Sequence, residues 1–152
     1  MKILVTGGAG FIGSAVVRYL IERFDSEVIC VDSLSYSSNS DSLKSVFKNN
    51  LFSFEKEDIS SPSGIARILK TYRPDKILHL AAETHVDRSI DNPDAFIQTN
   101  IIGTFNLLNV SLEYWKGLNP SKKAKFKFHH VSTDEVFGEL DKKQKPFNES
   151  SP

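Results

Sequence analysis

The sequence predicts an α/β domain in which a parallel sheet of strand order 3-2-1-4-5 is covered by helices on both faces. Three observations carry this. An apolar run, Lys2 to Thr6, passes without a linker into a glycine-rich turn. Short apolar runs then alternate with helix-period segments along the whole chain, the pattern of successive strand–helix–strand units. Finally, the polar segments suited to bind a ligand each follow an apolar run, where the carboxyl ends of strands would lie.

Taken in order, strand one spans Lys2 to Thr6 and helix one Gly10 to about Arg23, with Ile12, Ala15, Val16, Tyr19 and Leu20 at helical spacing. Strand two, Glu27 to Val31, leads into Asp32. A polar loop, Ser33 to Asn39, precedes a short helix from about Asp41 to Lys48, and strand three covers Leu51 to Glu55. After Asp58-Ile59, Ser61 is a helix N-cap and Pro62 takes the first helical position, where its missing N–H is no loss. The core stripe of this helix is Ile65, Ile68, Leu69 and Tyr72, and Arg73-Pro74-Asp75 ends it. Strand four, Lys76 to Leu80, runs into Ala81-Ala82. A long helix follows from an Asn92 cap and Pro93 to about Trp115, and strand five is Lys125 to Ser132.

The long helix is apolar on more than one stripe: Phe96, Ile97, Ile101, Ile102, Phe105, Leu107, Leu108, Val110, Leu112 and Trp115. A helix that covers only a sheet needs one such face, so the second is expected to meet another subunit or further chain, unless it is buried within the monomer.

The glycines read as Gly8-x-Gly10-x-x-Gly13, or G-x-x-G-x-x-G counted from Gly7. Both spacings suit a dinucleotide diphosphate. The turn needs a residue tolerant of positive φ, the backbone must approach the phosphates without an intervening Cβ, and the new helix must pack close to the strand. The helix then directs its free N–H groups and positive dipole end at the anion. Asp32 lies nineteen residues beyond Gly13. An acid about 20 residues on accepts hydrogen bonds from the adenosine ribose and repels a 2′-phosphate, which favours NAD over NADP. The fold class is therefore Rossmann-like.

Composition narrows the classes of function. At 152 residues the chain fits one domain with a real core. Nineteen basic and nineteen acidic side chains cancel, so no overall field recruits nucleic acid or an anionic membrane. The densest basic cluster, Lys122, Lys123, Lys125 and Lys127, flanks Phe126 and Phe128 at strand spacing and reads as solvated positions. Cys30 is the only cysteine, so neither an internal disulfide nor a paired-cysteine metal site is expected, and it reads as a buried strand residue. With no leader-like start and no bilayer-length apolar run, the expectation is a soluble, cytoplasmic protein.

Five segments converge on one rim: Gly7 to Gly13, Asp32, Asp58, Ala81 to Thr84 and Ser132 to Glu135. Thr133, Asp134 and Glu135 place a hydroxyl beside two carboxyls, a set suited to water elimination if one carboxyl acts as acid and the other as base. The same residues would equally make an ordinary helix start, with a hydroxyl cap and acids in the first turn. His79 and His85 flank strand four, as structural histidines or substrate contacts.

Four stretches, TGGAGFIGSAVVR, HLAAETHVDRSI, TNIIGTFNLL and FHHVSTDEVFGEL, together resemble the N-terminal part of the dTDP-glucose 4,6-dehydratases, a family of extended short-chain dehydrogenases/reductases. The resemblance spans nearly the whole chain and is least distinct over Ser35 to Phe47. Related 4-epimerases carry small hydroxyl residues in place of Asp134 and Glu135, and GDP-mannose dehydratases and UDP-glucuronate decarboxylases typically lack the Asp.

The resemblance implies that NAD is held by the glycine turn with Phe11 and Ile12, by Asp32, Ser33, Leu34 and Ser35, by Asp58 and Ile59, by Leu80, Ala81, Ala82, Glu83 and Thr84, and by Thr99. A dTDP-sugar would touch Thr84 and Thr133. In that family NAD takes a hydride from the sugar C4, Glu135 would remove the acidified C5 proton, Asp134 would protonate the departing C6 hydroxyl, and the hydride returns to C6. Thr133 would hydrogen-bond the C4 oxygen.

The family's oxidation step depends on a Tyr-x-x-x-Lys pair beyond the acidic loop. Gly138 to Pro152 contains no tyrosine. The expectation is a Rossmann domain truncated before its Tyr-x-x-x-Lys helix and substrate domain, able to bind NAD without turnover and to form a homodimer through the Asn92–Trp115 helix. Another NAD-dependent sugar-nucleotide dehydratase or 4-epimerase, or a non-catalytic dinucleotide-binding domain, remain alternatives.

Overall fold

The computed structural model describes residues 1–140 and 145–151; of the Gly138–Pro152 stretch, residues 141–144 and Pro152 lie outside the described residues. Five parallel strands make one sheet in the order β3-β2-β1-β4-β5: β1 (Lys2–Thr6), β2 (Glu27–Asp32), β3 (Phe52–Lys56), β4 (Lys76–His79) and β5 (Lys127–His130). Strand order reverses between β1 and β4, and this switch point is where open α/β sheets form their crevice. The register sets Thr6 opposite both Val31 and His79.

Successive side chains point to opposite faces, and both faces are covered. Ile3, Val5, Val28 and Cys30 pack beneath α1 (Phe11–Phe24) with Val17, Ile21, Leu43 and Val46. Leu4, Ile29, Val31 and Ile77 pack on the opposite face with Ile65, Ile68 and Leu69 of α2 (Pro62–Tyr72) and with Leu107. Burial on both sides explains why β1 and β2 are continuous apolar runs rather than alternating ones. α2 starts as expected: the Ser61 hydroxyl accepts from the Gly64 N–H, and Pro62 stands in the first turn. It stops at Arg73, whose left-handed φ of 51° turns the chain into Pro74.

Several boundaries differ from the sequence reading. The helix expected from Asp41 to Lys48 is a short 3-10 turn, Ser40–Leu43, opened by the Asn39 side chain, which accepts from the Asp41 N–H. Side chains that compete for backbone donors favour such turns over longer helix. Strand five begins at Lys127 rather than Lys125, because Asn119 caps a further helix that ends at Lys125. Lys122, Lys123 and Lys125 are therefore helical and not at strand spacing.

The Asn92–Trp115 helix is not one α-helix. After α3 (Val86–Asp91) come α4 (Pro93–Phe96), a π-helical segment (Ile97–Gly103) and α5 (Thr104–Lys116); the Asn92 side chain makes no capping bond. The Pro120–Lys125 helix is α6. Leu107 and Ser111 of α5 are buried against the core, but Ile97, Ile101, Phe105, Leu108 and Leu112 stand exposed, Ile101 by 60% and Phe105 by 59%. The second apolar stripe is thus uncovered within the chain. Among the described residues, no helix is long and apolar enough to cross a membrane, and no group of three or more His, Cys, Asp or Glu side chains is set to hold a metal ion.

Candidate functional site: a cleft at the carboxyl edge of the sheet

The turn after β1 is built by close approach. Gly7 has φ +68°, donates to the Val31 carbonyl at 2.8 Å and accepts from the Gly10 N–H at 3.1 Å. A Cβ on Gly7 would stand 2.7 Å from the backbone of Ala81, and one on Gly13 would overlap the Gly7 carbonyl oxygen. Only bare backbone fits there. The N-terminus of α1 has Gly10 as its cap, without a side-chain capping bond and without an acid in the first turn. Its leading N–H groups are thereby left for an anion. A diphosphate cofactor fits this arrangement, because close backbone packing holds the turn tight while the uncapped head of α1, without an acid in its first turn, keeps its N–H groups for an anion.

Asp32, 6% exposed, ends β2 beside the turn. Its carboxylate accepts from the Ala9 N–H at 2.9 Å, the Leu34 N–H at 2.8 Å and the Ser38 hydroxyl at 2.6 Å. A carboxylate offers about four acceptor positions, so about one remains for a ribose hydroxyl. Asp32 also sews the glycine turn to the following loop, a second role that sequence reasoning did not assign. Burial, and secondarily the charge of Asp32, pushes the Cys30 thiol up to about 12. Cys30 is accordingly an inert core residue.

One cleft gathers Gly7, Gly10, Asp32, Ser33, Ser35, Asp58, Ile59, Leu80, Ala81, Ala82, Glu83 and Thr99, all expected, together with Val31, Ser37, Ser38 and Glu57, which were not. Phe11, Ile12, Gly13, Leu34 and Thr84 are outside its lining. Phe11 is 94% exposed at the head of α1, Ile12 beside it is also exposed, Leu34 is held at φ 58° by Asp32, and Thr84 is exposed ahead of α3. Thr99 reaches the cleft on the π-helical segment, whose wider turn alters the direction of the side chains after it. In the same segment, Asn100 accepts from the Glu83 N–H at 2.8 Å and donates to the Glu83 carbonyl at 2.9 Å. This two-way clamp fixes the cleft wall. Its only sequence signal was an asparagine in a helix-period run.

Across the cleft mouth, the Tyr36 hydroxyl donates to Glu83 at 2.9 Å, with the Arg88 guanidinium 3.5 Å from the centre of its ring and His85 edge-on to it. His79 is wholly buried, between Thr6 and Thr104. Burial, with a smaller contribution from His130, lowers its pKa to about 4. Of the two readings left open, His79 takes the structural one.

Thr133, Asp134 and Glu135 follow β5 on a 3-10 turn (Asp134–Phe137), exposed and outside the cleft lining. The Thr133 hydroxyl accepts from the Glu135 N–H at 3.4 Å, the geometry of an ordinary capped turn. Elsewhere, Tyr72 and Lys76 have Tyr-x-x-x-Lys spacing, but Tyr72 ends α2 and Lys76 begins β4. The Tyr72 hydroxyl donates to Glu55 at 2.8 Å, and that bond raises its pKa, the opposite of what a tyrosinate base requires.

Fold and cleft define a Rossmann-like α/β domain with an anion cradle at its switch point. By sequence, the chain belongs to the GDP-mannose 4,6 dehydratase family, whose profile matches residues 4–152. It is 54% identical over 140 residues to the dTDP-glucose 4,6-dehydratase of Salmonella typhimurium, covering 92% of this chain and 39% of that protein. It is 50% identical over 152 residues to the dTDP-glucose 4,6-dehydratase of Haemophilus influenzae, covering 100% of this chain and 45% of that protein. The chain thus spans less than half the length of these relatives. Among solved structures, the dTDP-glucose 4,6-dehydratase of Streptomyces venezuelae with NAD bound superposes with a TM-score of 0.85 at 40% identity, covering 100% of this chain and 45% of that one. The UDP-glucose 4-epimerase of Thermus thermophilus, in complex with NAD, gives 0.80 at 29% identity, covering 100% and 44%.

Proposed function

We propose that residues 1–152 form the NAD-binding portion of a cytoplasmic dTDP-glucose 4,6-dehydratase, with its Tyr-x-x-x-Lys helix and substrate domain in sequence this chain does not contain. The observation that carries the reading is the cleft, where a glycine turn without room for any Cβ, the nearly saturated Asp32 carboxylate and the Leu80–Glu83 wall face one space. Identity of 50–54% to proteins named for this activity supports the substrate class.

In this reading Gly7, Gly10 and Gly13 make room for the diphosphate, with Phe11 and Ile12 offering backbone N–H groups at the head of α1. Asp32 keeps an acceptor for the adenosine ribose, while Ser33, Leu34, Ser35, Asp58, Ile59, Leu80, Ala81, Ala82, Glu83, Thr84 and Thr99 complete the cofactor site. Bound NAD supplies a reversible hydride acceptor for the sugar. Thr84 and Thr133 hydrogen-bond the dTDP-sugar, Glu135 takes the C5 proton, and Asp134 delivers a proton to the C6 hydroxyl as it leaves, so that one water is lost. The uncovered stripe through Ile97, Ile101, Phe105, Leu108 and Leu112 pairs with a second copy of the chain to form a homodimer.

Calorimetric titration of the chain tests the cofactor assignment. A saturable heat with NAD, and a weaker one with NADP, is expected; no binding of NAD at millimolar concentration would overturn it. In an enzyme completed through the missing half, Glu135→Gln is expected to abolish exchange of the C5 proton into solvent while NAD affinity stays unchanged.

A further inference from the structure

Behind the cleft lining, the elements that carry three of its walls meet at one buried imidazole. The Nδ1 atom of His79 lies 2.7 Å from the Thr6 hydroxyl at the end of β1, and its Nε2 lies 3.1 Å from the hydroxyl of Thr104, the first residue of α5. The Ala81 N–H donates to the same Thr6 oxygen at 3.4 Å. Ala81 is in turn the backbone against which Gly7 packs with no space for a Cβ. From Gly7 to Thr104, the series joins the glycine turn, the Leu80–Glu83 wall and the end of the π-helical segment that carries Thr99.

Counting donors gives the relay a direction. With its oxygen accepting from Ala81, the Thr6 hydroxyl is free to donate to Nδ1, which leaves the ring proton on Nε2, donating to Thr104. In the opposite tautomer Nδ1 is the donor, and among the described residues the buried Thr6 hydroxyl proton is left without an acceptor, an arrangement that buried polar groups avoid. An apolar side chain beside Phe128 and the His130 ring would fill the same volume, but it would not tie β1 to α5.

We infer that Thr6, His79 and Thr104 act as a positioning relay for the cofactor cleft, holding the Leu80–Glu83 wall and the Thr99-bearing segment at one spacing from the glycine turn. The inference rests on the cleft being the NAD site. Thr104 touches no cofactor in that reading; it acts through His79, and it sits where the wide helical turn gives way to regular α-helix.

The test compares Thr104→Val, which keeps the shape and removes the acceptor, with Thr104→Ser, which keeps the acceptor. NAD affinity is read by calorimetry, folding by the amide spectrum, and the His79 tautomer by imidazole nitrogen shifts. The parent chain is expected to show the Nε2–H tautomer. Thr104→Val is expected to stay folded and to bind NAD about tenfold more weakly, on the order of one lost, partly buried hydrogen bond, with Thr104→Ser restored to about the parent value. Parent-like affinity in Thr104→Val, or an Nδ1–H tautomer in the parent, overturns the relay; the tautomer decides if Thr104→Val does not fold. Failure of the parent to bind NAD removes the cofactor reading, and the positioning role with it.

Discussion

Gly8 is held by space alone. Its φ lies outside the left-handed region, so alanine would suffer no backbone strain, but a Cβ there would stand 2.5 Å from Cys30 Sγ and 3.3 Å from Val17 Cγ2. Carbon and sulfur need more than 3.4 Å, so the thiol would have to retreat by about 1 Å within a close-packed core. Cys30 is wholly buried and has no room to do so. Gly8→Ala is therefore expected to destabilise the chain by about 1–3 kcal/mol, the usual range for overpacking. Cys30→Ala alone removes one buried atom, at a cost of about 1 kcal/mol. Combined, the new methyl group takes the space the sulfur vacated, leaving 3.4 Å to the Cβ of residue 30, an ordinary contact, and 3.3 Å to Val17 Cγ2, which a small shift of that side chain relieves. The double variant should lie within about 1 kcal/mol of the parent, a favourable coupling of about 1–4 kcal/mol. Urea denaturation of the four chains, compared at equal m-value, measures it. Additive losses would refute the close-approach account of this glycine.

Two further predictions follow from buried and exposed groups. His79 is held at about 4 in the fold against an ordinary value near 6.5, so the unfolded chain binds the proton first. Stability is full above pH of about 6.5 and falls by about 3 kcal/mol as the pH drops to about 4, whereas His79→Gln flattens that slope; an unchanged slope in the variant, measured by urea unfolding between pH 4.5 and 7.5, would contradict it. The exposed stripe should make the parent chain self-associate in sedimentation, and Ile101→Glu with Phe105→Glu should yield a monomer with an unchanged unfolding curve; a parent that sediments as a monomer at high concentration would remove the homodimer.

The local code of this chain is strong where short-range chemistry decides the outcome. Lys2 to Thr6 read as a buried strand, the glycines of the following turn announced a backbone without Cβ atoms, and Ser61-Pro62 announced the start of α2. Alternation announced a parallel sheet covered on both faces, and the Rossmann-like reading its strand order; position at strand ends pointed to Gly7, Gly10, Asp32, Asp58 and Ala81 to Glu83 of the cleft lining, and the family resemblance to Ser33, Ser35, Ile59, Leu80 and Thr99.

What the tertiary structure decided are contacts between segments distant in sequence, for which periodicity carries no signal. Asp32 read as a ribose acceptor, but its three partners come from the glycine turn and the serine loop. His79 left two roles open until Thr6 and Thr104 closed around it. The Asn92–Trp115 run read as one helix because hydrophobic spacing does not distinguish an α turn from a π turn. Packing of Gly103 on Ile59 and the clamp of Asn100 on Glu83 accompany the wider turn there. Lys125 changed from strand to helix because an Asn119 cap outweighed alternation over a few residues. Sequence thus determined the five strands and the helices α1 and α2, since these depend on backbone preference and burial period. Only the assembled fold settled which polar groups satisfy one another and which apolar face stays bare, since both depend on what the rest of the chain brings alongside.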